Sequence, residues 1–551
     1  MMHPGHLLRS DRLASWLTKR PFQMTVAICA IWLLIGLTGH DPWKSDEAYT
    51  FGVVYRMLET GDWVVPRIAD TPFLKTPPLV YYGGAISAIV FSPVLPLHDA
   101  ARLSVGLWTF LILLFTALTA RELWGGNRTW VAPLMLIGCT GLLVRGHQLI
   151  SEVVLLAALA IGIYGLALLP RRSQVGGAWL GAGLGLAFLA SGLLDPIMLI
   201  LATIGMVIVS PRYRTARFVK SIAIAIAVAT PLVLAWPLAL HASDPGLFSQ
   251  WMSQSLTNLG ELFRFREHER HFYFLDVLPW FTWPLWPFAL WSLWIEGRPG
   301  LAKRELQVPL VAFVAIFGFL SLAGHGRDVM AMPMLLPMAL LASIAVGKLP
   351  RGAVNAYYWF GTMIVSVFAF VAWVYFSAVQ FGVPGELAAH LFSLQPSYKP
   401  EPRTLSFMIA IMFTCLWPIL IFNIKRSPER PVILWAAGLT TGWALAAFLL
   451  FHWIDTRRTY RSVAVEMSAA LPAKHNCIIS QDVGDAQLAM FDYFGGIATT
   501  RVVRRECDVL ITHDQWGDVT SIGAPWELVW EGGRPGDRDE RYRLYTRPDG
   551  Q

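Results

Sequence analysis

The chain has 551 residues, 55% of them hydrophobic and only 15% charged, with a mean hydropathy of +0.50. That is more apolar surface than a soluble core of this length buries, so a water-soluble globular protein is excluded and a bilayer is the expected solvent. The net charge of +7 does not point to nucleic acid either, because the Lys and Arg residues sit in short clusters between apolar runs, which is a pattern of membrane topology.

Taken in chain order, Arg9, Arg12, Lys19 and Arg20 precede an apolar stretch from about Gln23 to Gly39. No small-residue cleavage site follows it, so it reads as a retained first helix. Further apolar runs lie near 102–120, 129–145, 150–169, 177–193, 195–210, 219–241, 276–296, 305–323, 329–347, 354–377, 406–424 and 431–453, giving about thirteen expected spans. The pair around Asp195-Pro196 is open to being one broken helix.

Alternate loops are basic, as the positive-inside rule requires. Arg121 and Arg128, Arg171-Arg172, the Arg212–Lys220 cluster, Arg298 to Arg304, Lys348 and Arg351, and Lys425, Arg426 and Arg430 all fall on the side of the N-terminus, which is therefore expected to be cytoplasmic. Residues 41–101, 242–275 and everything after about 454 face the other side, the periplasm. Residues 78–97 are apolar, but a span there would invert every later basic loop. They are expected to form a helix lying at the outer interface, with Tyr81 and Tyr82 suited to headgroup depth.

The tail gains Pro, Gly and charge. CIISQDV, CDVLITHD and ELVWEGG read as strands, SVAVEMSAAL and DAQLAMFDYF as helices. The expected fold class is an all-α polytopic membrane domain over residues 1–454, with a small C-terminal α/β domain over 455–551. Cys29, Cys139 and Cys415 lie in apolar runs as packing residues. Cys477 and Cys507 lie in the tail, where an oxidising compartment allows a disulfide and two free thiols are the alternative.

The chemistry-bearing residues collect on the outer side. Asp46-Glu47 directly follows the first helix, and Lys75 stands between rigid residues in the same loop. A carboxylate serves as base or electrostatic partner and a fixed ammonium faces an anion. The plainer alternatives are an acidic first turn favoured by the helix dipole and a lysine reaching lipid phosphate. Glu152 and Asp195 stand at helix ends, where a capping role is the ordinary one. The loop GELFRFREHERHFYFLDVLPW gathers Arg264, Arg266, His268, Arg270 and His271 among aromatics, a surface for a phosphorylated lipid. Arg327-Asp328 could equally be a surface salt bridge.

The string SDEAYTFGVVYRMLETGDWVVPRIADTPFLKTPPLVYY resembles the first periplasmic loop of polyprenyl-phosphate-dependent GT-C glycosyltransferases, especially aminoarabinose lipid A transferases and related protein mannosyltransferases. Asp46, Glu47, Tyr49, Met57-Leu58, Gly61-Asp62-Trp63, Pro66 and Lys75 match in order and spacing. Arg102-Leu103, Glu152, Arg327-Asp328, FDYFGGIATTRVV and Cys507-Asp508 extend the likeness over most of the chain. It departs at Leu74, where an acid is usual, at Ala190-Ser191-Gly192, where a lysine is lost, and at Met330, which replaces a tyrosine.

The resemblance implies an undecaprenyl-phosphate-linked sugar as donor and lipid A, another glycan or a protein as acceptor, with no nucleotide sugar and no nucleic acid. It assigns Asp46, supported by Glu47 and Glu152, to the acceptor. Lys75, Arg327 and Arg270 would hold the donor phosphate. Tyr49, Tyr81, Tyr82 and His268 would support the loop or acceptor. No cofactor is expected. A divalent metal is left open, since related oligosaccharyltransferases use one while no ligand set stands out here. The rival reading is a transporter or flippase of lipid-linked sugars, which typically shows an internal repeat; none is seen.

Overall fold

The computed structural model describes residues 21–262, 272–322, 326–396, 398–502, 506–514, 522, 525–534, 537 and 540–547. By compactness the chain divides into two units. The membrane unit comprises residues 1–37, 105–370 and 405–448, and the loop–tail unit residues 38–104, 371–404 and 449–551.

Among the described residues, nine helices have the length and apolar character of a membrane span, or ten if Gly126–Ile137 and Thr140–His147, bent by 74°, count as one. Helix occupies each of the thirteen apolar runs, but some helices are too short to pass as spans. The first covers Pro21–Leu34 and stops well before Gly39, because Gly36 takes a left-handed φ of 84°. The run near 276–296 is divided into Tyr273–Phe281 and Leu285–Leu301, around a Trp-Pro-Leu-Trp-Pro segment in which proline withholds its donor.

In the membrane unit, Ser151–Leu168 packs on Ser173–Ser191, which packs in turn on Ala216–Ser243. Glycines permit both approaches: a Cβ at Gly165 would meet Leu180 N at 2.3 Å, and one at Gly181 would meet Ala225 O at 2.3 Å. Small residues at such seams let backbones close up where lipid supplies no hydrophobic drive.

The loop–tail unit begins with the helix Asp46–Thr60. A two-stranded antiparallel ribbon, β1 (Arg67–Ile68) and β2 (Thr71–Pro72), follows, and then the helix Leu79–Phe91. That last helix is 13 residues long, too short to span, and exposes Ile86, Ile89 and Val90. The tail supplies β3 (Ile478–Gln481), β4 (Thr499–Thr500), β5 (Val509–Asp514), β6 (Glu527–Gly532) and β7 (Arg541–Thr546), in the order β4-β3-β5-β7-β6. β3 runs parallel to β4 and β5, while β7 is antiparallel to β5 and β6. The central β5 is buried along Val509, Leu510, Ile511 and Thr512, which accounts for its unbroken apolar run. Helices Arg461–Ala470 and Asp485–Gly495 complete the α/β fold, and Cys477 and Cys507, just ahead of β3 and β5, are joined as a disulfide. Residues 455–551 do not stand alone as a compact unit; residues 38–104 and 371–404 join them.

Candidate active site

The Asp46–Thr60 helix carries both expected acids in its first turn, where its unsatisfied N–H groups favour negative charge. Gly61, at φ 69°, caps its far end and donates its N–H to Met57 O at 3.1 Å. Asp62 Oδ1 then accepts from the N–H groups of Val64 and Val65 at 3.0 Å each. The Gly-Asp-Trp motif is therefore the device that ends this helix and turns the chain.

The two acids have different fates. Glu47 is 2% exposed, with Oε1 accepting from Arg102 Nε at 2.6 Å and Oε2 from the Trp43 N–H at 3.2 Å. Arg102, 1% exposed, also donates from Nη1 to Asp99 Oδ1 at 2.6 Å, and Asp99 Oδ2 accepts from the Gly39 N–H at 2.9 Å. Burial opposes the charge on Glu47, but Arg102, His40 and the Trp43 N–H outweigh it and hold its carboxyl below the usual range. Glu47 is thus bound up in a buried ion pair that ties the start of the helix to residues 99–102. Asp46, one position earlier, is also buried, and its carbonyl accepts from the Thr50 hydroxyl at 2.7 Å.

A second carboxylate node precedes them. Asp41 is gripped by Arg461, with Nε to Oδ2 at 2.9 Å and Nη2 to Oδ1 at 2.5 Å, and by the Thr459 hydroxyl at 2.7 Å. His98 Nε2 lies 3.6 Å from Asp41 Oδ1, and His98 Nδ1 lies 3.1 Å from the Tyr493 hydroxyl. Asp455 accepts from the Asp41 N–H at 3.1 Å and from Trp43 Nε1 at 2.9 Å. Burial again opposes the charge on Asp41, and Arg461 and Thr459 bring it below the carboxylate norm. Asp41, Asp455 and Arg461 were not among the expected site residues. A signal was present: Arg457, Arg458 and Arg461 cluster in a segment that the sequence reading expects on the side where the positive-inside rule allows few cations, so the expected topology leaves them unexplained.

Lys75 is exposed, and no ion pair among the described residues involves it. Its ammonium sits 5.3 Å from the ring centroid of Tyr49, which leans on Phe73 at 5.4 Å. The flanking tyrosines brace this segment. Tyr81, fully buried, shares a 2.7 Å hydrogen bond with the Thr76 hydroxyl, and Tyr82 donates to Trp63 O at 2.8 Å. The unit therefore presents an ammonium on a rigid turn and, on the helix that bears Tyr49, a buried aspartate.

In the membrane unit, Asp328 pairs with Arg145, whose Nη2 lies 3.0 Å from Oδ2. Arg145 also donates to Gln148 Oε1 at 3.1 Å. Arg327 and Glu152 are half-buried, and Glu152 Oε2 accepts from the Ser151 hydroxyl at 3.3 Å. An apolar cavity of about 890 Å³ opens among Trp280, Trp283, Trp286, Phe360, Trp435 and Trp443. His268 and Arg270 lie outside the described residues. Among the described residues, no group of three or more His, Cys, Asp or Glu side chains is arranged to hold a metal ion.

A comparison with protein-family profiles finds no match. Individual relatives do align. The undecaprenyl phosphate-alpha-4-amino-4-deoxy-L-arabinose arabinosyl transferase of Pseudomonas aeruginosa (strain UCBPP-PA14) is 27% identical over 493 residues, covering 85% of this chain and 82% of that one. A second transferase of that name from Proteus mirabilis (strain HI4320) is 24% identical over 424 residues, covering 73% and 71%. The crystal structure of ArnT from Cupriavidus metallidurans bound to undecaprenyl phosphate superposes with a TM-score of 0.68 over 96% of this chain and 98% of that one, at 14% identity. The apo form gives a TM-score of 0.67 over the same shares. With its many apolar helices and α/β tail, the chain is a multi-pass membrane protein of the GT-C fold, similar to the undecaprenyl phosphate-aminoarabinose arabinosyl transferases.

Proposed function

We propose that the chain is an inverting glycosyltransferase that moves a monosaccharide from an undecaprenyl-phosphate-type lipid to an acceptor at the outer face of the bacterial inner membrane. Lipid A or lipopolysaccharide is the first candidate acceptor, ahead of other glycans or protein. In this reading the N-terminus is cytoplasmic, and residues 41–101 and the C-terminal α/β domain are periplasmic.

The observation that carries the reading is Lys75, an exposed ammonium with no carboxylate partner among the described residues, presented by a braced turn next to the helix that starts at Asp46. As the bond between the anomeric carbon and the phosphate oxygen breaks, its electron pair goes to the phosphate. A fixed cation there stabilises the charge that develops. The acceptor oxygen forms the new bond to the anomeric carbon from the opposite face. Asp46 orients that oxygen and, where it is a hydroxyl, takes its proton; where it is a phosphate oxygen, positioning is enough. Arg327 and Arg270 are proposed as further phosphate contacts, and Glu152 as support for the acceptor. Glu47 acts at one remove: its pair with Arg102 fixes the helix start that carries Asp46. The tryptophan-lined apolar cavity of the membrane unit suits an isoprenoid tail.

The test is transfer by the purified chain, supplied with undecaprenyl-phosphate-linked sugars and an envelope lipid extract and followed by mass spectrometry. A mass shift on an acceptor equal to the donor sugar supports the reading. Movement of the donor across vesicle membranes with no such product would favour the transporter instead.

A further inference from the structure

The membrane unit also holds a polar cavity, lined by residues that the proposed glycosyl transfer does not use. It measures about 810 Å³ and lies among the Arg351–Phe381 helix, the end of the Thr404–Asn423 helix and the start of the Arg430–Leu445 helix. Lys425, Arg426 and Arg430 line it, and among the described residues no carboxylate does. Lys425 and Arg426 are exposed and enter no ion pair among the described residues.

Arg430 is held differently. Its Nη2 donates to Ile421 O at 2.6 Å and to the Tyr358 hydroxyl at 3.3 Å, and its guanidinium stacks 4.4 Å from the Tyr358 ring centroid. Its Nε–H is buried and finds no acceptor among the described residues. A buried charged donor left without an acceptor is costly, so an oxygen supplied from outside the chain would relieve it. At the rim, Trp359 is 60% and Phe422 49% exposed, an aromatic and apolar edge of the kind found where headgroups meet acyl chains.

We propose that this cavity binds the phosphate headgroup of an anionic glycerophospholipid, as a site separate from that of the glycosyl donor. The positive-inside rule explains cations in this stretch of chain. It does not explain a headgroup-sized cavity free of carboxylates, or an arginine fixed by Tyr358 with one donor unanswered. Basic pockets between transmembrane helices on the cytoplasmic side are where phosphorylated headgroups are held, and Arg and Lys supply charge-assisted hydrogen bonds to phosphate oxygens.

The full-length protein would be purified in detergent and titrated, with native mass spectrometry as readout, against phosphatidylglycerol, phosphatidylethanolamine of the same acyl chains, and soluble glycerol phosphate. Phosphatidylglycerol is expected to bind in preference to phosphatidylethanolamine. Lys425→Ala with Arg426→Ala should weaken it about twenty-five-fold, at about fivefold per cation; both positions are exposed, so the variant should keep its fold. Arg430→Gln should weaken it as well. Equal retention of the two lipids, or unchanged binding in the double variant, would overturn the proposal. Saturation by glycerol phosphate at the same concentration would overturn its lipid part and assign the site to free phosphate.

Discussion

Arg102 shows how much a single side chain organises. It lies between Glu47 and Asp99, and all three are buried. Removing one partner of a buried pair leaves the other desolvated and typically costs about 3–5 kcal/mol. Arg102→Gln should therefore lower the apparent melting midpoint sharply, measured by intrinsic fluorescence in detergent, whereas substitution of an exposed residue such as Arg457 should leave it nearly unchanged. Asp492 behaves in the opposite sense. Burial pushes its carboxyl up to about 6, although Arg56 Nε lies 2.6 Å away and pulls it down. A carboxyl raised on folding contributes stability that is fully present below its unfolded value of about 3.9 and is lost as pH rises through the folded value. The midpoint of the native chain should thus fall relative to that of Asp492→Asn between about pH 4 and pH 6. A difference that stays flat over that window would contradict the assignment.

At the scale of elements, the helix bearing Asp46 is held by close contact. It packs on the Asp485–Gly495 helix of the tail, and Gly52 sits where they touch: a Cβ there would fall 2.2 Å from Ala489 Cβ. Overpacking of this kind usually costs about 1–3 kcal/mol. Gly52→Val should lower the midpoint and, by displacing the first turn, reduce transfer as well. The reverse change on the facing helix, Ala489→Gly, should restore part of both in Gly52→Val.

Much of this level was legible in the sequence. The three tail strands and two tail helices form where period and composition placed them, because alternation and apolar runs are local properties. β7 was missed because RYRLYT interleaves charges with its apolar residues. Those charges are answered across the sheet, as where Arg543 meets Asp514 and Glu531. The loop motif marked Asp46, Glu47 and Lys75 as unusual. It did not reveal that Glu47 is a structural ion pair, that Asp41 is clamped by Arg461 from 420 positions away, or that Gly-Asp-Trp is a helix stop. Pairings at such separations depend on the fold and leave no spacing to read.

For the whole molecule, the bilayer requires every backbone polar group to be satisfied within the chain, which is why apolar runs become helices. In the topology expected from the sequence, chemistry sorts by side: basic clusters would mark one face, while the acidic loop, the Arg457–Arg461 cluster and the disulfide-bearing tail fall in segments expected on the other. The central claim is that Asp46 and Lys75 act on a lipid-linked sugar, and its most direct test is single-turnover transfer. Purified native chain, Asp46→Asn and Lys75→Ala would each be loaded with undecaprenyl-phosphate-linked aminoarabinose and mixed with lipid A, with product counted by mass spectrometry and donor binding measured in parallel. We expect each variant to bind donor but transfer it at least about a hundredfold more slowly, the usual loss when a group that stabilises the transition state is removed. Transfer by both variants at the native rate would contradict the assignment of these residues, and donor binding by the native chain without any transfer would contradict the glycosyltransferase itself.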